Sequence, residues 1–296
     1  MLLLTILLTG CSGVFSATPT GSALPSATMK GEATHAVVVP STTPTGTLAP
    51  TQLPSPEPTM QGCTEEHGQV TRTLFQSELM GEGYDVSIYT PPCYDQTANT
   101  DYPVLYLMHG QNQDDTYWFS LGVAELVDEK IRAGAPPFIM VSPREVHNFD
   151  PISETKFPES VVRELVPWID TQYQTCPIRS CRAIGGISRG GGWAIRLAMR
   201  NFNVFGSVGA HSMGLMEGDW WQTQKNLETH SALEFPRIYI DQGVEDGLKE
   251  DTDYFVRILR TNGIPYEYHQ NPGNHDKKYW LAHIEEYIDW YIRGWE

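Results

Sequence analysis

The chain predicts an α/β fold: a mostly parallel central sheet with antiparallel N-terminal edge strands and helices on both faces. Short continuous apolar runs, such as residues 104–108 and 138–141, have the composition of strands buried on both faces. Between them lie segments whose apolar residues recur at helical spacing, so strand and helix alternate as parallel crossovers require. A glycine-rich corner, Gly185-Gly186-Ile187-Ser188-Arg189-Gly190-Gly191-Gly192, marks one place where an apolar run gives way to a helical one.

The elements follow in order. Residues 68–91 alternate in the manner of two antiparallel strands joined near Gly81-Glu82-Gly83. The run 104–108 is a strand, followed by a helix over 121–131 and a strand at 138–141. A long helix is expected over 159–173, with Val161, Val162, Leu165, Val166 and Ile169 on one face. The strand ending at Ile187 comes next, and the helix after it carries Ala194, Leu197, Ala198 and Phe202. Strands at 205–210, 238–241 and 266–269, with helices at 253–260 and 279–292, complete the set. No internal repeat is visible.

The corner also carries chemistry. Gly186 and Gly190 bracket Ser188 in a G-x-S-x-G pattern. A tight strand-to-helix turn strains the backbone, and small residues let its two arms approach. The hydroxyl then projects beside a helix N-terminus that favours negative charge. A serine is a weak nucleophile without a base to take its proton. Among nine histidines, only His275 sits in a turn-rich loop after the last strand, Asn271-Pro272-Gly273-Asn274-His275-Asp276. His269 lies in a strand pattern and His283 in a helical one, where packing or surface roles are expected. His109 ends a strand, and His211 follows another where it could line a pocket. Asp241 and Asp246 compete as the acid. Asp241 lies within the strand pattern and is expected to bond backbone amides, whereas Asp246 lies on the loop beyond Gly243, with Glu245 pointing elsewhere.

Five phrases then point to a family: Leu105-Tyr106-Leu107-Met108-His109-Gly110, Glu164-Leu165-Val166-Pro167-Trp168-Ile169-Asp170, Gly186-Ile187-Ser188-Arg189-Gly190-Gly191, Gly243-Val244-Glu245-Asp246 and Pro272-Gly273-Asn274-His275-Asp276. From about Cys63 onward the chain resembles the α/β-hydrolase esterases that include esterase D, feruloyl and acetylxylan esterases, enterochelin esterases and mycolyltransferases. The resemblance implies Ser188 as nucleophile, His275 as base and Asp246 as acid, in the chain order this fold uses. It implies an acyl-enzyme, with no metal or organic cofactor. The backbone N–H groups of Gln111 and Arg189 become the oxyanion hole, and His109 becomes a structural residue of the oxyanion loop. The Arg189 side chain is expected in solvent at a helix start; the sharper alternative is attraction of an anionic substrate group. Loop position puts Tyr117, Trp118, His211, Met213 and Trp280 at the substrate, with Trp220 and Trp221 in the segment where this fold inserts its cap. Core packing is an equal alternative for Trp220 and for Trp280.

The resemblance implies a serine carboxylesterase acting on acyl esters of plant polysaccharide, acetyl or feruloyl. Other readings are a siderophore trilactone esterase, an acyltransferase of mycolyltransferase type, and a non-catalytic binding protein on a hydrolase scaffold. The ends of the chain add a location. Residues 1–8 are almost wholly apolar and lead into Leu8-Thr9-Gly10-Cys11, which resembles a bacterial lipobox with Cys11 as the lipidated residue. No Lys or Arg precedes that run; an ordinary signal peptide or an uncleaved anchor are the alternatives. Residues 12–60 are about half Ser, Thr and Pro with few charges, a composition unable to bury enough apolar surface to order itself. The expected organisation is a lipoprotein signal segment at 1–11, a disordered tether at 12–60 and one catalytic domain at 61–296, lipid-anchored at the cell envelope or secreted. The remaining cysteines suit two disulfides in an exported chain, Cys176 with Cys181 across a short turn and Cys63 with Cys93. Their spacing does not suit a metal site. The net charge of −16, with no basic run, argues against a nucleic-acid partner.

Overall fold

Strands buried on both faces must be largely apolar, with any polar side chain hydrogen-bonded. The centre of one eight-stranded sheet is built from mostly apolar runs that carry polar residues such as Arg182 and His211 at their ends. A computed structural model describes residues 64–94, 100–216 and 218–296 of the chain. Cys11, the tether segment and Cys63 lie outside the described residues. The strands β3 (Val104–Met108), β4 (Ile139–Pro143), β5 (Arg182–Ile187) and β6 (Ser207–His211) are buried at every position. Flanking them are β1 (Gln69–Ser77), β2 (Glu82–Thr90), β7 (Arg237–Gly243) and β8 (Glu267–Asn271). The strand order is β1-β2-β4-β3-β5-β6-β7-β8. The pairs β1/β2 and β2/β4 are antiparallel and every other pair is parallel. The β1–β2 turn closes at Gly81, whose φ of 71° suits a residue without Cβ.

Alternation along the strands divides the core in two. Leu105, Leu107, Met140 and Ile187 face α2 (Val123–Arg132) and α8 (Lys277–Ile292), packing against Val127, Ile131, Ile284, Ile288 and Tyr291. Tyr106, Val141, Ile184, Val208 and Ile240 face the other way. They meet α3 (Phe157–Ser160), α4 (Val166–Gln172), α5 (Arg189–Arg200) and α7 (Lys249–Thr261) through Phe157, Ile169, Trp193, Leu197, Phe255 and Leu259. Each such side chain contributes about 1.5–3 kcal/mol on burial, and the two apolar layers together clamp the sheet.

Two departures from expectation have local causes. The single helix expected over 159–173 is broken into α3, a π-helical turn at Val161–Leu165, and α4. Pro167 has no N–H to continue the regular ladder, and Val166 N–H donates five residues back, to the Val161 carbonyl. After β6 the chain adds a helix, α6 (Asp219–Asn226), which was expected only as an insertion, and a short helix α1 (Tyr117–Ser120) precedes α2. The disulfide Cys176–Cys181 closes the turn before β5, as expected, with Cα atoms 5.8 Å apart. Cys93 is also disulfide-bonded.

Candidate active site

The corner between β5 and α5 holds Ser188 at φ 57° and ψ −121°, a left-handed conformation that costs a non-glycine residue on the order of 1–3 kcal/mol. Its neighbours have no room for a side chain. A Cβ on Gly186 would stand 2.2 Å from the Gly190 carbonyl carbon, and one on Gly190 would stand 2.3 Å from the Met108 oxygen. Ser188 N–H donates to the His211 carbonyl at 2.8 Å, fixing the corner to β6. The half-buried hydroxyl is thereby presented at the carboxyl edge of the sheet.

The other two groups arrive on loops that extend the β7–β8 pairing. Val244 N–H donates to the Asn271 carbonyl at 2.9 Å and Glu245 N–H to the Gly273 carbonyl at 3.0 Å. Gly273 N–H returns a bond to the Glu245 carboxylate at 2.9 Å, so Glu245 ties the two loops together. This places Asp246 oxygens 3.0 and 3.1 Å from His275 Nδ1, and Ser188 Oγ 2.9 Å from His275 Nε2. A carboxylate facing Nδ1 assigns the proton to that nitrogen and leaves the Nε2 lone pair for the serine. Burial alone would push the Asp246 carboxyl up. The hydrogen bond from His275, the bond from Leu248 N–H at 2.7 Å and the attraction of the imidazole outweigh it and hold that carboxyl below its ordinary value.

The loop expected to carry one oxyanion donor follows β3. Gly110 lies against the serine, since a Cβ there would be 3.5 Å from Ser188 Cβ. His109 is buried, accepts from Glu145 N–H through Nε2 at 2.8 Å and meets the Gly110 carbonyl through Nδ1 at 2.7 Å. A backbone N–H only donates, so His109 is neutral with its proton on Nδ1; burial accordingly pushes its pKa down. Gln111 is exposed beside Gly110, and Arg189 is the first residue of α5.

Several expected residues stand elsewhere. The Arg189 side chain is not in solvent: its guanidinium is 13% exposed and meets Glu145, itself 3% exposed, at 2.6 and 2.9 Å. His211 does not line a pocket. It is wholly buried between Asp241, at 2.7 Å, and Tyr291, at 3.2 Å, with its ring stacked on Tyr287. Asp241 bonds side chains rather than backbone amides, accepting from Tyr279 at 2.8 Å and Tyr287 at 2.7 Å besides His211. Trp118 is buried with its indole N–H on the Met108 carbonyl, and Met213 is buried beneath Gly191. Both therefore pack the site from behind rather than touch a substrate. Tyr117 is half-buried. It packs against Trp280, which stands edge-on to His275 with ring centroids 5.3 Å apart. Trp280 is itself buried in the apolar layer, so it packs in the core, the alternative expected for it, rather than lining the substrate site. Trp221 is exposed beneath Lys225, and the Trp220 side chain lies outside the described residues. Glu145 and Asn148, after β4, were not expected at the site; the sequence marked that segment only as the end of a buried strand. Among the described residues no group of three or more His, Cys, Asp or Glu is arranged to hold a metal ion.

A strained serine at a strand–helix corner, lined up with a histidine and a buried carboxylate on this sheet, defines the class of α/β-hydrolase serine ester hydrolases. Within it the chain belongs to the family described as "Putative esterase", whose sequence profile matches residues 77–290. The chain is similar to an endo-1,4-beta-xylanase/feruloyl esterase of Xylanibacter ruminicola, at 31% identity over 159 residues, 50% of this chain and 22% of that protein. It is also similar to an esterase of Mycobacterium tuberculosis, at 31% identity over 147 residues, 47% of this chain and 31% of that one. The match thus spans less than a third of the length of these two curated relatives. Among solved structures, a ferulic acid esterase superposes with a TM-score of 0.66 at 23% identity, covering 77% of this chain and 99% of its own. FphF, a fluorophosphonate-binding serine hydrolase of Staphylococcus aureus, gives 0.67 at 18% identity, covering 76% and 99%. These two likenesses concern the fold.

Proposed function

We propose that the chain is a serine carboxylesterase that works through an acyl-enzyme on Ser188, acting on acetyl or feruloyl esters of plant polysaccharide. The observation that carries the chemistry is the unbroken hydrogen-bonded line from Ser188 Oγ through His275 to Asp246. In this reading His275 Nε2 takes the serine proton as Oγ attacks the ester carbon. Asp246 holds the imidazole in the required tautomer and stabilises the imidazolium. The Gln111 and Arg189 amides receive the oxyanion, and the alcohol leaves with the proton from His275. Water, activated by the same histidine, then attacks the acyl-serine and releases the acid.

The substrate class is supported by relatives and by the rim of the site. The Xylanibacter ruminicola relative is named for feruloyl esterase, and an acetyl esterase of Caldicellulosiruptor saccharolyticus is 22% identical over 219 residues, covering 82% of that protein. Tyr117, half-buried against the buried Trp280 that stands beside His275, offers an aromatic surface to a planar acyl group or a sugar ring. The proposal extends to location: a lipid on Cys11 and a tether over 12–60 would hold the domain at 61–296 outside the cell, attached to the envelope. Among the described residues no helix is long and apolar enough to cross a membrane.

A panel of acetylated xylan, methyl ferulate, a trilactone siderophore and p-nitrophenyl acetate, ranked by kcat/KM, tests the substrate. Xylan acetate or ferulate should exceed the generic ester. If neither does, the polysaccharide reading fails, and a leading trilactone replaces it with siderophore hydrolysis.

A further inference from the structure

The segment that follows β4 touches both halves of the proposed oxyanion hole, although it contributes neither donor. We infer that Glu145 is a positioning residue that sets the aim and spacing of the Gln111 and Arg189 amides; the inference rests on the Ser188 acyl-enzyme reading.

The first link runs through the main chain. Glu145 N–H donates to His109 Nε2, which leaves His109 Nδ1–H to hold the Gly110 carbonyl at 2.7 Å. That carbonyl and the Gln111 N–H belong to one peptide unit. The unit is planar and trans, so its C=O and N–H point in opposite directions. Gripping the oxygen from one side therefore aims the N–H out of the other, from a loop whose Gly110 lies against Ser188. Asn148, on the same segment, donates from its side chain to the Gln111 carbonyl, and Gln111 Nε2 returns a long contact of 3.4 Å to the Asn148 carbonyl.

The second link runs through the side chain. The Glu145 carboxylate receives Arg189 at two points, Nη2 to Oε1 at 2.6 Å and Nε to Oε2 at 2.9 Å. Two-point pairing fixes orientation as well as distance, and Lys in place of Arg would lose it. Arg189 opens α5 and carries the second proposed donor on its own backbone, with Trp193 one turn on and 5.4 Å below the guanidinium. One residue thus reaches the two donors on different elements, β3's loop by its amide and α5 by its carboxylate. The pair is nearly buried, so salt screens it little.

Donors of this kind act on charge that develops in the transition state, and misplacing them lowers kcat rather than substrate affinity. The test uses the full chain with p-nitrophenyl acetate as substrate and benzeneboronic acid as a probe whose tetrahedral serine adduct fills the hole. Glu145→Gln removes the charge while keeping the side-chain length. It is expected to lower kcat about 10- to 100-fold, less than or equal to the loss of a whole donor. KM should stay within about twofold, and boronate affinity should fall in step with kcat. The pH profile should keep its acid limb, because the His275–Asp246 pair is untouched. Arg189→Lys, which keeps the charge but not the two-point geometry, should show the same pattern, and it decides the matter if Glu145→Gln does not fold. Unchanged kcat, or a kcat loss with boronate affinity retained, overturns the inference. Equal rates for wild type and Ser188→Ala would instead overturn the reading on which it rests.

Discussion

Asp241 and Asp246 show how partners, rather than residue type, decide a role. Asp246 faces His275 and the Leu248 amide, whereas Asp241 faces His211, Tyr279 and Tyr287 in a buried layer against α8. On the proposed mechanism, Asp246→Asn is expected to fold and to lose up to ~10⁴ in kcat, because an amide cannot hold the His275 imidazole in the required tautomer. Asp241→Asn weakens hydrogen bonds to a charged acceptor, worth about 1.5–3 kcal/mol, and should lower Tm by several degrees with a far smaller activity loss. Circular dichroism and ester turnover at one pH check both. A sign follows for acid stability. The native Asp246 carboxyl lies below its ordinary value of 3.8, so its contribution is present above that pH and is lost as pH falls through the lowered value. The Tm gap between wild type and Asp246→Asn should therefore narrow in acid. The placement of Ser188 and His275 was legible because each sits in a local motif of turn residues, whereas Asp246 was separated from Asp241 only with the help of the family resemblance. The burial of His211 and the engagement of Arg189 were not legible. Their partners, Asp241, Tyr291 and Glu145, come from other strands, loops and helices, and a one-dimensional pattern does not reveal which loop faces a helix start.

At the scale of elements, the strand–helix corner works because β5, β3 and the start of α5 touch backbone to backbone. A methyl group on Gly186 or Gly190 meets main-chain atoms that cannot yield, at 2.2 and 2.3 Å. Gly186→Ala and Gly190→Ala should therefore yield little folded protein or a Tm lowered by more than 10 °C, on the order of several kcal/mol of overpacking. Gly247→Ala, where nothing lies within 4 Å, should leave Tm and turnover near the wild-type values. Thermal melts of the three variants make the comparison. The corner was readable because glycine spacing is a direct record of close approach. The break in the helix over 159–173 is not encoded in the apolar spacing, although Pro167 lies within it. Pro167 falls more than two turns into the amphipathic pattern, deep enough to interrupt a regular helix, but apolar periodicity does not show whether the interruption is a kink, a stop or a π turn.

For the whole molecule, topology explains why residues so far apart in sequence meet. Strands β3 to β8 run parallel, so their carboxyl ends share one edge. That edge receives Gly110 and Gln111 from β3, Glu145 from β4, Ser188 from β5, Asp246 from β7 and His275 from β8. Sheets of this kind place their ligands outside the carboxyl ends of the strands. Strand–helix alternation made this architecture legible from the sequence. The surroundings of the site were not legible, since Trp118, Met213 and Trp280 turned inward and Tyr117 is half-buried. On the proposed function, the Ser188 hydroxyl at that shared edge performs ester cleavage. The most direct test is the steady-state hydrolysis of p-nitrophenyl acetate by the full chain beside Ser188→Ala, with both proteins verified as folded by circular dichroism. The wild type should turn the ester over and the variant should fall to the uncatalysed background; equal rates in the two proteins would rule out Ser188 as the nucleophile.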